Sequence, residues 1–279
     1  MSWVVPGPAW LFCPADRPER YAKAAATADV VILDLEDGVA PADKEAARIA
    51  LIDTPLDPDR TVVRVNPVGT DDHELDLLAL DGTRYTRLML AKCESADQVL
   101  SLAPWEVIAL VESPLGVLAV GEIALAANTI GVMWGAEDLV AAMGGTSSRR
   151  EDGSYRDVAT GTRSSVLLAA KAYQRLALDS VYLDIKDLGG LRAEADDAVA
   201  VGFDVKVGIH PTQVEVIRDA YMPSEEDIDW ANRVLAAAAD QRGVFAFEGK
   251  MVDAPVLRHA ESILRHSSGP HAHRAGRRR

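Results

Sequence analysis

The chain has 279 residues, 48% hydrophobic and 26% charged, enough for one large core in an ordinary globular composition. A formal net charge of −14 excludes a broad positive field, and with it nucleic acid or an anionic membrane as partner. Its two cysteines, Cys13 and Cys93, exclude a disulfide framework or thiolate metal centre, and no apolar stretch reaches the roughly 18 residues of a membrane span.

The N-terminal MSWVVPGPAW lacks a basic region and a long apolar run, so no signal peptide is expected and a reducing cytoplasm fits. Short apolar runs then recur along the chain. They are Trp10–Cys13, Val30–Leu35, Thr61–Val65, Arg87–Leu90, Val107–Val111, Thr129–Trp134, Ser180–Leu183 and Asp204–Val207. Several are apolar without alternation, the pattern of parallel strands covered on both faces. Ala-rich stretches between them, among them Pro41–Ile52, Leu115–Ala127 and Leu191–Val201, read as helices. The polar, Gly-rich Gly144–Arg156 reads as a long loop, followed by a helix over Asp157–Leu178. Pro211–Arg242 reads as helical, Gly243–Ala254 as a turn-rich connection and Pro255–His266 as a terminal helix.

Eight strand–helix repeats predict an α/β fold closed into a (β/α)₈ TIM barrel with a C-terminal helical extension. A doubly wound open sheet is the other α/β arrangement. Its Gly-rich fingerprint is missing after the first run, where the chain reads CPADRPER. The expected organisation is a barrel over residues 1–242, an extension over 243–266 that caps the mouth or reaches another subunit, and an unstructured tail over 267–279 in which His271 and His273 have no role.

Barrel active sites sit at the C-terminal strand ends. Run two ends in Asp34-Leu35-Glu36-Asp37-Gly38, run three in Arg64-Val65-Asn66 and run four in Lys92. Run five ends in Glu112, run six in Gly135-Ala136-Glu137-Asp138, run seven in Asp184-Ile185-Lys186-Asp187 and run eight in Gly208-Ile209-His210-Pro211. Glu112 and Asp138 lie one strand–helix unit apart, so their carboxylates fall on neighbouring strands, where they suit a hard cation such as Mg²⁺. Helix capping is the competing explanation for each acid. Arg64 points into the mouth, toward a substrate carboxylate or developing oxyanion, or pairs with Glu36 or Asp37. Glu36 and Asp37 hold metal-bound water or form the turn. His210 reads as a turn residue before Pro211, the cysteines as packing residues, and Ser113 is outside any nucleophile elbow.

The stretches Leu11–Asp16, Leu33–Val39, Val63–Asn66, Leu88–Lys92, Leu110–Gly116, Trp134–Leu139 and Gly208–Pro211 together resemble the citrate lyase β-subunit-like branch of the HpcH/HpaI aldolase family. The resemblance implies a (β/α)₈ barrel, usually a homotrimer, that binds Mg²⁺ and cleaves 3-hydroxyacyl thioesters (citryl, malyl or hydroxymethylglutaryl) to acetyl-CoA and an oxo acid. It implies Glu112 and Asp138 as metal ligands and Arg64 as the group that binds substrate and stabilises its oxyanion. Glu36 and Asp37 match acids that hold metal-bound water, and the backbone of Gly135-Ala136-Glu137 matches the oxo-acid site. Arg17 and Lys23 are the candidates for CoA binding. Asp253 resembles an acid that some relatives place in the adjacent subunit's site, as the proton donor or acceptor at the enolate carbon. Two alternatives share this chemistry: a CoA-independent pyruvate aldolase, and a citrate lyase β subunit that works only with its carrier protein.

Overall fold

The computed structural model describes residues 3–239, 241 and 243–267. The chain divides into two compact units between Ile217 and Arg218.

The first unit is a closed barrel of eight parallel strands. They are β1 (Ala9–Pro14), β2 (Val30–Asp34), β3 (Thr61–Val65), β4 (Arg87–Leu90), β5 (Glu106–Val111), β6 (Thr129–Trp134), β7 (Leu176–Asp179) and β8 (Val205–Gly208). Closure is direct: Trp10 of β1 is in register with Val30 of β2 on one side and Val207 of β8 on the other. The helices of this unit are α1 (Pro18–Thr27), α2 (Lys44–Asp53), α3 (Asp71–Asp81), α4 (Ala96–Leu100), α5 (Pro114–Leu125), α6 (Ala136–Ala142), α7 (Asp157–Ala172), α8 (Leu188–Val201) and α9 (Pro211–Tyr221), the last running across the division. Their starts carry sequence-encoded caps: Thr70, Ser95, Ser113 and Asp187 each accept a hydrogen bond from the backbone N–H three residues on.

One buried cluster takes residues from all eight strands, including Trp10, Ile32, Val62, Met89, Leu110 and Met133. Strand side chains alternate faces with a period of two. Asp34, Arg64, Glu112 and Gly135 each lie two positions beyond a member of this cluster (Ile32, Val62, Leu110 and Met133). The polar rim is therefore the next layer of the same inward-facing stack, at the carboxyl ends of the strands.

Seven strands lie within a residue of their expected positions, and the seventh does not. The helix expected over Asp157–Leu178 stops at Ala172, because Gln174 turns the chain at φ +55°. Leu176–Asp179 then forms β7, in place of Ser180–Leu183. Asp184, Lys186 and Asp187 consequently occupy an exposed loop, where Asp187 caps α8, and Asp179 and Ser180 take the strand end.

Across the division and into the second unit, the segment expected as one helix over Pro211–Arg242 is interrupted. Pro223 cannot continue α9, and Ser224 with Asp227 forms a reciprocal capping box that starts α10 (Glu225–Ala238). The turn-rich connection is an antiparallel hairpin, β9 (Phe245–Phe247) and β10 (Lys250–Val252), followed by α11 (Ala254–Ser267). Ala231, Val234, Val252, Ala260 and Ile263 form this unit's buried cluster. Ser267 ends α11; the rest of the expected tail, with His271 and His273, lies outside the described residues. Among the described residues no helix is long and apolar enough to cross a membrane.

Candidate active site

The β2–β3 register places Asp34 beside Arg64. Asp34 accepts from Arg64 Nε at 2.7 Å and Nη2 at 2.6 Å, and Glu36 Oε2 lies 3.0 Å from Nη1. The guanidinium also stacks 4.7 Å from the centre of the Phe12 ring. These contacts fix the fork while leaving N–H groups of its five for a ligand. Asp34 in turn accepts from the backbone N–H groups of Glu36 and Gly38, each at 2.9 Å. A Cβ at Gly38 would come within 2.2 Å of Asp34 Oδ2, so the turn that carries Glu36 and Asp37 needs glycine there. Lys44 pins the same turn by donating to the carbonyls of Leu35 and Glu36 at 2.8 and 3.1 Å. Asp34 was not singled out from the sequence, which offered Glu36 or Asp37 as Arg64's partner; its position opposite Arg64 depends on register.

Glu112 follows β5 and is buried. It does not cap α5: Ser113 does that, donating in addition to Glu94 Oε1 at 2.7 Å. Glu112 Oε1 accepts from the backbone N–H of Lys92 at 3.0 Å. Its other oxygen would lie 2.5 Å from a Cβ on Gly135, so the glycine opening α6 lets the β6 strand end close over the carboxylate. Burial and, next, the Asp138 charge push the Glu112 carboxyl up to about 8. Asp138, in the first turn of α6, gives that helix no side-chain cap; Gly135 stands at the cap position. The capping explanation therefore fails for both acids.

Lys92 joins the two halves. Its ammonium contacts Glu36, lies 2.9 Å from Asp37 Oδ2 and 3.5 Å from Asp138 Oδ1. Burial opposes its charge, yet Glu36 and Asp37 hold the ammonium well above the usual lysine range. Burial pushes Glu36 up, against the pull of Arg64 and Lys92. Lys92 stood at a strand end in the sequence, and that position was the available signal for it.

Phe12, Arg64, Glu112, Gly135, Glu137 and Asp138 line a cavity of about 150 Å³, with Ser180 and Val181 lining its β7 side. Glu137 accepts from Ser148 Oγ at 2.5 Å, which ties the Gly144–Arg156 loop to the site. Behind Ser180 lies a buried ion cluster that the misplaced seventh strand had hidden. Fully buried Lys206 donates to Asp179 and Glu194, each at 3.0 Å, and to the Ser180 carbonyl at 2.9 Å. Asp179 also accepts from Arg163 Nε at 2.9 Å and the Trp134 indole at 2.8 Å. Burial would raise Asp179, but Lys206 and Arg163 hold it below the usual carboxylate range.

Other candidates fall outside this cluster. Arg17 precedes α1, half-exposed and 3.2 Å from Asp16, and Lys23 is exposed on α1; neither lines the cavity. Asp253 belongs to the second unit, where its carboxylate accepts from Val256 N at 3.3 Å at the start of α11. His210 Nδ1 pairs with Thr212 Oγ1 at 2.8 Å, as expected of a turn residue. Burial pushes the Cys13 thiol up to about 11 and the Cys93 thiol up to about 12, so both are inert packing groups.

The profile of the HpcH/HpaI aldolase/citrate lyase family matches residues 9–211, and that of a C–C bond lyase of the TIM-barrel fold matches residues 154–269. The chain is 66% identical over 265 residues to the citrate lyase subunit beta-like protein of Mycobacterium tuberculosis (strain ATCC 25618 / H37Rv), covering 95% of this chain and 97% of that one. It is 31% identical over 295 residues to the mitochondrial citramalyl-CoA lyase of Homo sapiens, covering 93% and 85% respectively. The crystal structure of protein CitE from Mycobacterium tuberculosis in complex with magnesium, acetoacetate and coenzyme A superposes with a TM-score of 0.92 at 66% identity, over 94% of this chain and 98% of that one. With its closed barrel and the strand-end cluster of Arg64, Glu112 and Asp138, the chain belongs to the HpcH/HpaI aldolase/citrate lyase family and is a lyase.

Proposed function

We propose that the chain cleaves a carbon–carbon bond of a 3-hydroxyacyl-CoA thioester, releasing acetyl-CoA and an oxo acid, with Mg²⁺ held by Glu112 and Asp138. One observation carries this reading: a guanidinium fixed by Asp34 and Glu36 shares one small cavity with a buried carboxylate and its carboxylate neighbour. The named relatives agree, one being a citramalyl-CoA lyase and another a structure holding magnesium, acetoacetate and coenzyme A.

The donor set fits the ion. Among the described residues no group of three or more His, Cys, Asp or Glu side chains converges as a metal cage, so the protein offers the neighbouring Glu112 and Asp138 carboxylates. Burial first and the Asp138 charge next push the Glu112 carboxyl up, and a cation beside the two would favour its ionised form. Carboxylate oxygens are the donors that Mg²⁺ prefers. When bound, the ion supplies the charge that lowers the substrate hydroxyl pKa and orients the oxo-acid half. Arg64 donates to the thioester oxygen as negative charge gathers there, and needs no reorganisation because Asp34 already holds it. Gly135 and Ala136 line the same cavity, where their backbone would meet the oxo-acid half. Glu36 and Asp37 would hold water beside the ion, and Arg17 and Lys23 would be the cations for the nucleotide phosphates.

In this reading the chain forms a homotrimer, and Asp253 from a neighbouring subunit exchanges a proton with the enolate carbon. The likeness of Lys250-Met251-Val252-Asp253 to the family's lid acid supports it. The cap contact allows a clean test, since asparagine keeps the Oδ1 acceptor for Val256 but cannot carry the proton. Asp253→Asn lowers turnover by about 10²-fold or more with an unchanged melting temperature. Turnover equal to the parent's removes Asp253 from the mechanism.

The activity itself is tested by incubating the purified protein and Mg²⁺ with a panel of 3-hydroxyacyl-CoA esters and following acetyl-CoA release. Citryl, malyl, citramalyl and hydroxymethylglutaryl thioesters differ by groups worth about 1–3 kcal/mol in such a pocket, so a graded response across the panel is expected. Cleavage of free hydroxy-oxo acids alone points instead to the CoA-independent aldolase. Activity only on carrier-bound acyl groups points to a citrate lyase β subunit.

A further inference from the structure

Lys92 has three unusual properties at once. It is a non-glycine residue at φ +49°, in the left-handed region where an L side chain costs about 1 kcal/mol or more. Its backbone N–H holds Glu112, one of the two carboxylates assigned to the metal. Its ammonium lies among Glu36, Asp37 and Asp138, the last being the second of those carboxylates. The strained backbone is what lets one residue do both, since it turns the N–H toward β5 while the side chain reaches back toward β2 and across to α6.

We infer that Lys92 is a tethered cation that shares Asp138 with the divalent ion, holding that carboxylate together with Glu36 and Asp37 in the metal-free protein and setting the metal's affinity by competing with it. This rests on the proposed metal site. Like charges so close repel strongly in a half-buried setting, so a cluster of acids built to receive a dication needs a partner while the ion is away. The ammonium reaches Asp138 at 3.5 Å, longer than its contact with Asp37, so Asp138 is the contact most readily given up to an ion. Lys92 acts on the metal through these acids and is a positioning residue.

Calorimetric titration of the purified full-length protein with Mg²⁺ alone tests the idea. Lys92→Met keeps the stem and removes the charge, and should bind Mg²⁺ about tenfold more tightly than the parent. Lys92→Arg keeps a cation and should stay within about twofold of the parent. Lys92→Gly adopts φ +49° without strain and also lacks the charge. It should bind tightly as well, which covers the case in which Lys92→Met folds poorly. Unchanged or weaker Mg²⁺ binding by both uncharged variants overturns the inference. Failure of the parent itself to bind Mg²⁺ would instead overturn the metal site on which it rests, so the two failures are distinguishable.

Discussion

Replacing Arg64 with alanine lowers kcat/KM for the cleaved thioester by about 10²–10³-fold, the loss seen when one preorganised oxyanion donor is removed. The same change destabilises the fold. Asp34 and Glu36 are buried, and both give up their contact with the guanidinium. Removing one partner of a buried ion pair costs about 3–5 kcal/mol, because the other charge stays behind. Arg64→Lys separates the two effects. It keeps a cation near Asp34, and so most of the stability, but a lysine cannot form the two-point contact that aims the fork at substrate. Steady-state kinetics with acyl-CoA and urea denaturation of the three proteins are the measurements. Turnover by Arg64→Ala near the parent's level would remove the residue from the chemistry, whatever its stability.

Arg64 also shows how far the sequence reaches. Its place at a strand end, facing the mouth, follows from the apolar run before it and the period of two. Its anchor does not. Asp34 lies 30 positions earlier and meets Arg64 only through the parallel register of β2 and β3, a long-range fact with no local trace. Glu112 and Asp138 were legible as a pair because one strand–helix unit separates them. That neither caps a helix depended on Ser113 and Gly135 standing at the caps. The seventh strand was obscured by composition. Leu176-Ala177-Leu178 continues an Ala-rich helix without an apolar break, whereas Val181-Tyr182-Leu183 has the β-branched and aromatic character of a strand. Tertiary pairing with β6 and β8 overrode that preference, and with it the sequence lost sight of Asp179, Ser180 and the Lys206 cluster. The second unit's hairpin went unseen because Phe245–Phe247 and Lys250–Val252 are only three residues each.

Glu112→Gln should all but abolish Mg²⁺ binding, raising the dissociation constant by about 10²-fold or more, since it removes the charge of the buried ligand while keeping its shape. The parent carries a proton signature that the variant lacks. With its carboxyl pushed up to about 8 by burial and by Asp138, metal-free Glu112 is largely protonated at pH 6. A divalent ion must displace that proton, so Mg²⁺ affinity rises about tenfold per pH unit up to about pH 8 and levels off above it. Titrations in buffers of different ionisation enthalpy read the released proton directly. Folding responds with the opposite slope. Between pH 4.5, the ordinary glutamate value, and about 8, the folded metal-free protein holds a proton that the unfolded chain has lost. The Glu112 contribution to stability is therefore fully present below pH 4.5 and is lost as the pH climbs to 8. Glu112→Gln cannot lose a proton, so without metal it should overtake the parent in stability as the pH rises, by several kcal/mol at pH 8. A metal-free parent whose urea midpoint relative to the variant's does not change between pH 5 and 8 would show that Glu112 ionises like an exposed carboxylate. In that case buried Glu112 beside Asp138 would not be the strained, cation-seeking site proposed here.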